Sequence, residues 1–160
     1  VYKRQRHVHN IFKSSLESEG VEYLRFRSQP TILNNLLWYA VAESDSHYYA
    51  AFYSILDRPN TPKRWQKISK NHHLIPSSHK DIQTLIWFSN GFYCIAPTEN
   101  KDTFIYKDLR YPLMKEDDPN SSVFSFVIKK IDKRWTAMPF YPENTSEKDL
   151  KDFWERLKGI

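Results

Sequence analysis

The chain has 160 residues, with 24 Lys plus Arg against 19 Asp plus Glu, a formal charge of +5, 40% hydrophobic residues and 27% charged ones. That composition excludes a disordered polypeptide, and a chain of this length can bury about 70% of its unfolded surface in one domain without a disulfide. The single cysteine, Cys94, excludes an internal disulfide and a cysteine-built zinc site, the three dispersed glycines exclude a Gly-rich phosphate loop, and no apolar run approaches the ~20 residues of a membrane span.

The start is basic: Lys3, Arg4, Arg6 and Lys13 all precede the first acid, Glu17. The positive-inside rule expects such a segment just cytoplasmic of a membrane helix. A solvated helix end is the plainer reading, and charge alone favours it. The chain begins at Val1, without a methionine and without the apolar core of a secretory signal, which predicts upstream processing or a piece cut from a longer protein.

Residues 2–19 read as a helix, with Val8, Ile11, Phe12, Ser15 and Leu16 forming one stripe and Gly20 as the stop. Residues 21–28 alternate, Leu24 and Phe26 against Tyr23, Arg25 and Arg27, which predicts a half-buried strand ended by Pro30. Residues 36–43 and 47–56 then form a long antiparallel hairpin around Ser44-Asp45-Ser46. Large apolar groups on both faces of its first strand predict a central strand covered on both sides.

Pro59, Pro62 and Pro76 predict a long excursion over 57–80, with one helical turn near 64–69. Ser78 is the expected N-cap of a short helix with Ile82, Leu85 and Ile86 buried, and Gly91 its left-handed closing residue. Residues 92–96 and 104–110 predict a second hairpin, 114–120 an acidic loop, 123–131 a strong strand and 133–138 its partner. Residues 145–149 open a last helix with Leu150, Phe153, Trp154 and Leu157 as its apolar stripe and Gly159 at its end. The expected fold class is therefore α+β: one antiparallel sheet of about six strands, helices at both termini and a short one in the middle, all in a single domain over 1–160, with the helices covering one face.

Few constellations point to chemistry. His7 and His9 on a helix aim their rings about 200° apart, and the adjacent His72 and His73 diverge, so neither pair makes a good chelate. Asp108 and Arg110, two apart on the expected strand, share a face with Phe104 and Tyr106. A carboxylate and a guanidinium beside aromatic rings can hold a polar ligand or lock a hairpin as an ion pair; the second use is the commoner. Asn34 and Asn35 can cap a turn or bind a polar ligand. Trp38, Tyr39, Tyr48, Tyr49, Phe52 and Tyr53 read mainly as cross-strand packing. With a charge of only +5 and no RNA- or zinc-finger pattern, nucleic acid is the weakest partner reading. Cys94 lies amid Tyr93 and Ile95 as a small buried hydrophobe, and no serine sits in a nucleophile elbow.

Six short motifs occur in order. Pro30-Thr31 is followed by Asn34-Asn35-Leu36-Leu37-Trp38-Tyr39, then by YYAAFYS ending at Ser54, then by Asn71-His72-His73-Leu74. Trp87-Phe88-Ser89-Asn90-Gly91-Phe92-Tyr93 and Asp108-Leu109-Arg110-Tyr111 complete the set. Over about residues 8–130 the chain resembles the C-terminal soluble part of the bacterial membrane-bound metal-dependent hydrolase family, Bacteroidetes type, a family also labelled inner-membrane LexA-binding. One departure is Tyr111-Pro112, where the family pattern would place Phe-Gly.

The resemblance implies an inner-membrane protein whose N-terminal membrane portion carries the His and acidic residues taken to bind a divalent metal. This chain would be its non-catalytic accessory domain on the cytoplasmic side, docking substrate, partner or membrane, with no metal or cofactor of its own. Its partners would be its own membrane portion and a small polar ligand or a protein. A second reading is a small-ligand-binding or hydrolytic domain with a polar-aromatic pocket built from Asn34, Asn35, Trp38, Asp108 and Arg110. A third is a protein- or DNA-interaction module.

Overall fold

The structure, a computed structural model, describes residues 2–31, 35–58, 64–112, 122, 124–132, 134–140 and 147–159. Its elements are α1 (Tyr2–Ser18), β1 (Arg25–Pro30), β2 (Leu37–Glu43), β3 (His47–Ser54), β4 (Gln66–Ser69), a 3-10 turn (His72–Leu74), α2 (Lys80–Phe88), β5 (Tyr93–Pro97), β6 (Thr103–Asp108), β7 (Ser125–Ile131), β8 (Arg134–Phe140) and α3 (Glu147–Leu157). The α+β class holds, but the single sheet of about six strands is corrected to two sheets of four, in the orders β1-β2-β3-β4 and β5-β6-β7-β8. Two compact units result, one with α1, the first sheet and α3, the other with α2 and the second sheet.

The extra strand explains much of the correction. Gln66–Ser69, expected as a helical turn, is β4. The free edge of β3 offers a row of unpaired backbone groups, and pairing there with Ile68 buried outweighs weak local propensity. Nor do the helices cover one common face. Val8 and Phe12 of α1 pack on Trp38, Ala40 and Ala51 of the first sheet. Ile82 and Leu85 of α2 pack on Tyr93, Ile95, Tyr106 and Ile128 of the second.

In the first unit, β2 is buried along its whole length, as a central strand with apolar groups on both faces requires. Tyr39 stands opposite Phe52 in the β2–β3 ladder, their ring centroids 5.2 Å apart. Strand β1 ends at Pro30, as expected, and Pro30 still pairs with Trp38. Proline is tolerated there because β1 is an edge strand. The shifted start leaves Leu24 exposed instead of in the core.

Helix ends follow the backbone rules, with one displacement at each end of α2. After α1 the amide of Val21 bonds the carbonyl of Leu16 and that of Gly20 bonds Glu17, with Gly20 at φ 66°, a Schellman motif. After α2 the same pair of bonds runs from Gly91 to Ile86 and from Asn90 to Trp87. The closing left-handed residue is thus Asn90, φ 52°, with Gly91 following at φ 74°. Helix α2 begins one residue later than expected: His79, not Ser78, is its N-cap, and no side chain caps it. Asp132 at φ 47° supplies the left-handed position of the tight turn joining β7 to β8, whose ladder closes at Ile131 and Arg134.

Helix α3 is anchored in the first unit by its C-terminal end. Ser54 Oγ donates to the Leu157 carbonyl at 2.6 Å, and Arg156 grips Asp57 with Nη1–Oδ1 2.6 Å and Nη2–Oδ2 3.2 Å. Leu157 is buried, but Trp154, assigned to the apolar stripe, is 56% exposed. The acidic loop expected at 114–120 and the Leu150 side chain lie outside the described residues. No helix among the described residues is long and apolar enough to cross a membrane.

Candidate functional site

A cleft of about 630 Å³ opens in the first unit where the first turn of α1 meets the Pro30 end of β1 and the start of β2. Lys3, Arg4 and Gln5 line it from the helix, and Pro30, Asn35 and Trp38 from the sheet. The register of the sheet builds it. Pairing of Pro30 with Trp38 sets the apolar wall, and the indole is held because its Nε1–H donates to the Asn35 carbonyl at 3.1 Å. Trp38 is buried, packed on Val8 and Phe12, so the wall is rigid, while Lys3, Arg4, Gln5 and Asn35 are exposed around it.

The electrostatics of this cleft have one sign. Among the described residues two cations line it and no carboxylate does. Among the described residues neither Lys3 nor Arg4 is paired with an acid. The first turn of α1 contains no acidic residue, so the positive end of the helix dipole adds to the field.

Asp108 and Arg110 belong to the second unit and form a closed pair. Arg110 donates from Nε to Oδ1 at 3.0 Å and from Nη2 to Oδ2 at 2.6 Å, and its backbone N–H also donates to Oδ1 at 3.0 Å. The last bond makes an Asx turn, so Arg110 lies just past the end of β6 and folds back, instead of sharing a strand face with Asp108. Asp108 has no exposed surface, and its hydrogen bond to Arg110 holds the guanidinium proton more firmly than usual. The guanidinium carbon lies 4.8 Å from the Phe88 ring centre and 5.6 Å from that of Tyr111, and Phe124 stacks on both rings.

Of the five residues singled out in sequence, Asn35 and Trp38 meet at the cleft, Asp108 and Arg110 meet in the other unit, and Asn34 lies outside the described residues. Lys3, Arg4, Gln5 and Pro30 were missing from that set. The basic start was visible, but only the packing of α1 on the sheet brings it beside Asn35.

Several other polar groups with reactive potential are engaged in structure. Arg25 pairs with Glu43 across the β1–β2 ladder, and the Tyr48 hydroxyl reaches the same carboxylate. His9 Nδ1 lies 3.0 Å from Ser28 Oγ with its ring edge-on to Phe26; burial, and then Lys13, push its pKa down. His72 stacks at 3.9 Å on Tyr93 and bonds that residue's carbonyl at 2.8 Å. Tyr93 stacks in turn on Tyr106, whose hydroxyl meets Ser89 Oγ at 2.7 Å. Burial pushes the Cys94 thiol up to about 11, so it stays protonated and a poor nucleophile. Among the described residues no group of three or more His, Cys, Asp or Glu is placed to hold a metal ion. Comparison with family models, curated proteins and solved structures finds no match to this chain.

Proposed function

We propose that this chain is a non-catalytic docking domain, the accessory part of a membrane-bound hydrolase as its motif resemblance implies, and that the α1 cleft is where it holds a ligand. The observation that carries this reading is the division of labour among polar groups. The buried carboxylates of Glu43, Asp57 and Asp108 are each gripped by an arginine, and the only thiol is protonated. A general acid or base must reach its substrate, and a buried carboxylate held by an arginine is instead committed to a structural pair. The accessible cleft instead offers cations, amides and an apolar wall, which bind and orient. Attachment to a membrane portion on the cytoplasmic side belongs to the same proposal and is supported by the basic run ahead of Glu17.

The test is an assay of the purified chain against ester and phosphoester chromogenic substrates, with and without added Zn²⁺, Mg²⁺ or Mn²⁺. The expected result is no turnover above the buffer rate. Sustained turnover that scales with protein and survives repurification would overturn the docking reading.

A further inference from the structure

Resting on that docking reading, we infer the chemical class of the ligand: the α1 cleft receives the phosphate group of a small organic phosphate or of a phospholipid headgroup. Among the described residues, Lys3 and Arg4 line it without an acidic partner and no carboxylate lines the cavity. Such a site repels metal cations and attracts anions. Arg4 offers a planar fork that fits two oxygens of a phosphate, and Lys3 supplies a compact point charge. Gln5 and Asn35 add amide donors for the remaining oxygens. A carboxylate has only two oxygens for this set of donors, whereas a phosphate monoester has three and carries nearly two charges.

The rest of the cleft speaks for an organic body attached to the phosphate. Its volume of about 630 Å³ lies within the range of small-molecule sites and far exceeds the need of an inorganic ion. Pro30 and the pinned Trp38 give it an apolar wall that no ion would use. The phosphate is therefore placed at the cationic mouth, with the carbon portion along Pro30 and Trp38.

The experiment is a calorimetric titration of the full chain with phenyl phosphate, with inorganic phosphate as a second probe. A parallel sedimentation assay uses phosphatidylcholine vesicles with and without phosphatidic acid. Saturable binding of phenyl phosphate, tighter than that of inorganic phosphate, supports a soluble ligand. Binding confined to the phosphatidic acid vesicles supports the headgroup. In either arm Lys3→Glu with Arg4→Glu should weaken binding by at least about tenfold. Both residues are exposed, so the melting temperature should not move. Arg6→Glu, a neighbouring exposed cation that does not line the cleft, should change binding little.

No saturable binding in either arm overturns the inference. So does an Arg6→Glu loss equal to that of the double variant, because the effect is then diffuse charge. Hydrolysis of phenyl phosphate in the same cell would instead sink the docking reading and leave the phosphate-binding cleft standing, so the two failures are distinct.

Discussion

Replacing Arg110 with alanine separates a structural guanidinium from a ligand-binding one. The substitution removes the two bonds from Nε and Nη2 and the aromatic contact with Phe88, and leaves the Asp108 carboxylate with the Arg110 backbone N–H. That carboxylate has no exposed surface. Breaking a buried pair from one side costs about 3–5 kcal/mol, because the remaining charge loses its partner without regaining water. The arginine side chain is itself 18% exposed, which lets some solvent reach the gap and points to the low end, about 3 kcal/mol. For a chain of this size that is a fall in melting temperature of about 6–12 °C. Arg110→Lys should recover little, since an ammonium cannot make the bidentate contact. Asp108→Ala combined with Arg110→Ala should be milder than the sum of the two single variants, because no charge is left stranded. Thermal and urea unfolding followed by circular dichroism measures all four. An Arg110→Ala protein that melts within about 2 °C of the parent would refute the structural assignment and return Arg110 to the pool of ligand-binding residues.

Other expectations follow from the same geometry. Gly159→Ala should destabilise the protein by about 2 kcal/mol or more, because its φ of 80° disfavours any Cβ and the added atom would lie 2.6 Å from the Leu56 carbonyl oxygen; faster limited proteolysis near α3 would report the loosened C-terminal anchor. Cys94 should fail to react with a disulfide reagent at pH 8 in the native state and react fully in denaturant, since its thiol is pushed up to about 11; rapid native labelling would contradict its burial. His9 has a folded pKa below its ordinary 6.5, so the unfolded chain takes up the proton first. Its contribution is then fully present above pH 6.5 and is lost as the pH falls through the lowered value; urea midpoints between pH 7.5 and 5 should show this slope, and His9→Gln should flatten it.

How much of this was legible in the sequence depends on whether a feature is local. The α1 stripe of Val8, Phe12 and Leu16, the Gly20 stop and the doubly buried β2 were readable because periodicity and turn chemistry act over a few residues. The split into two sheets was not, since β4 exists only because β3 presents an open edge, which no window around Gln66–Ser69 contains. Trp154 was misplaced for a similar reason: its spacing fits a buried stripe, and the anchor of α3 is instead the Arg156–Asp57 and Ser54–Leu157 set, which spans about a hundred positions of chain. At the site, Asn35 and Trp38 stood out by residue type, but their partners Lys3 and Arg4 lie more than thirty residues away and join them through the packing of α1 on the sheet.

Three arginine–carboxylate pairs among the described residues bear on the proposed function more than any single residue does. Arg25–Glu43 closes the last position of the β1–β2 ladder, Arg110–Asp108 closes the end of β6, and Arg156–Asp57 fixes α3 beyond the end of β3. Each sits where a strand stops and backbone pairing runs out, and in each the carboxylate is almost wholly buried, with 11%, 0% and 2% of its surface exposed. A buried carboxylate is costly unless fully satisfied, so its conformational use is to fix where an element ends. Acids spent in this way cannot also serve as proton carriers without loosening the fold. Lys3 and Arg4 carry no such duty, and they line a cleft that combines unpaired positive charge with a rigid apolar wall. A cleft lined by two unpaired cations and an apolar wall is suited to hold an anion in place, and the Lys3→Glu, Arg4→Glu titration asks that question directly.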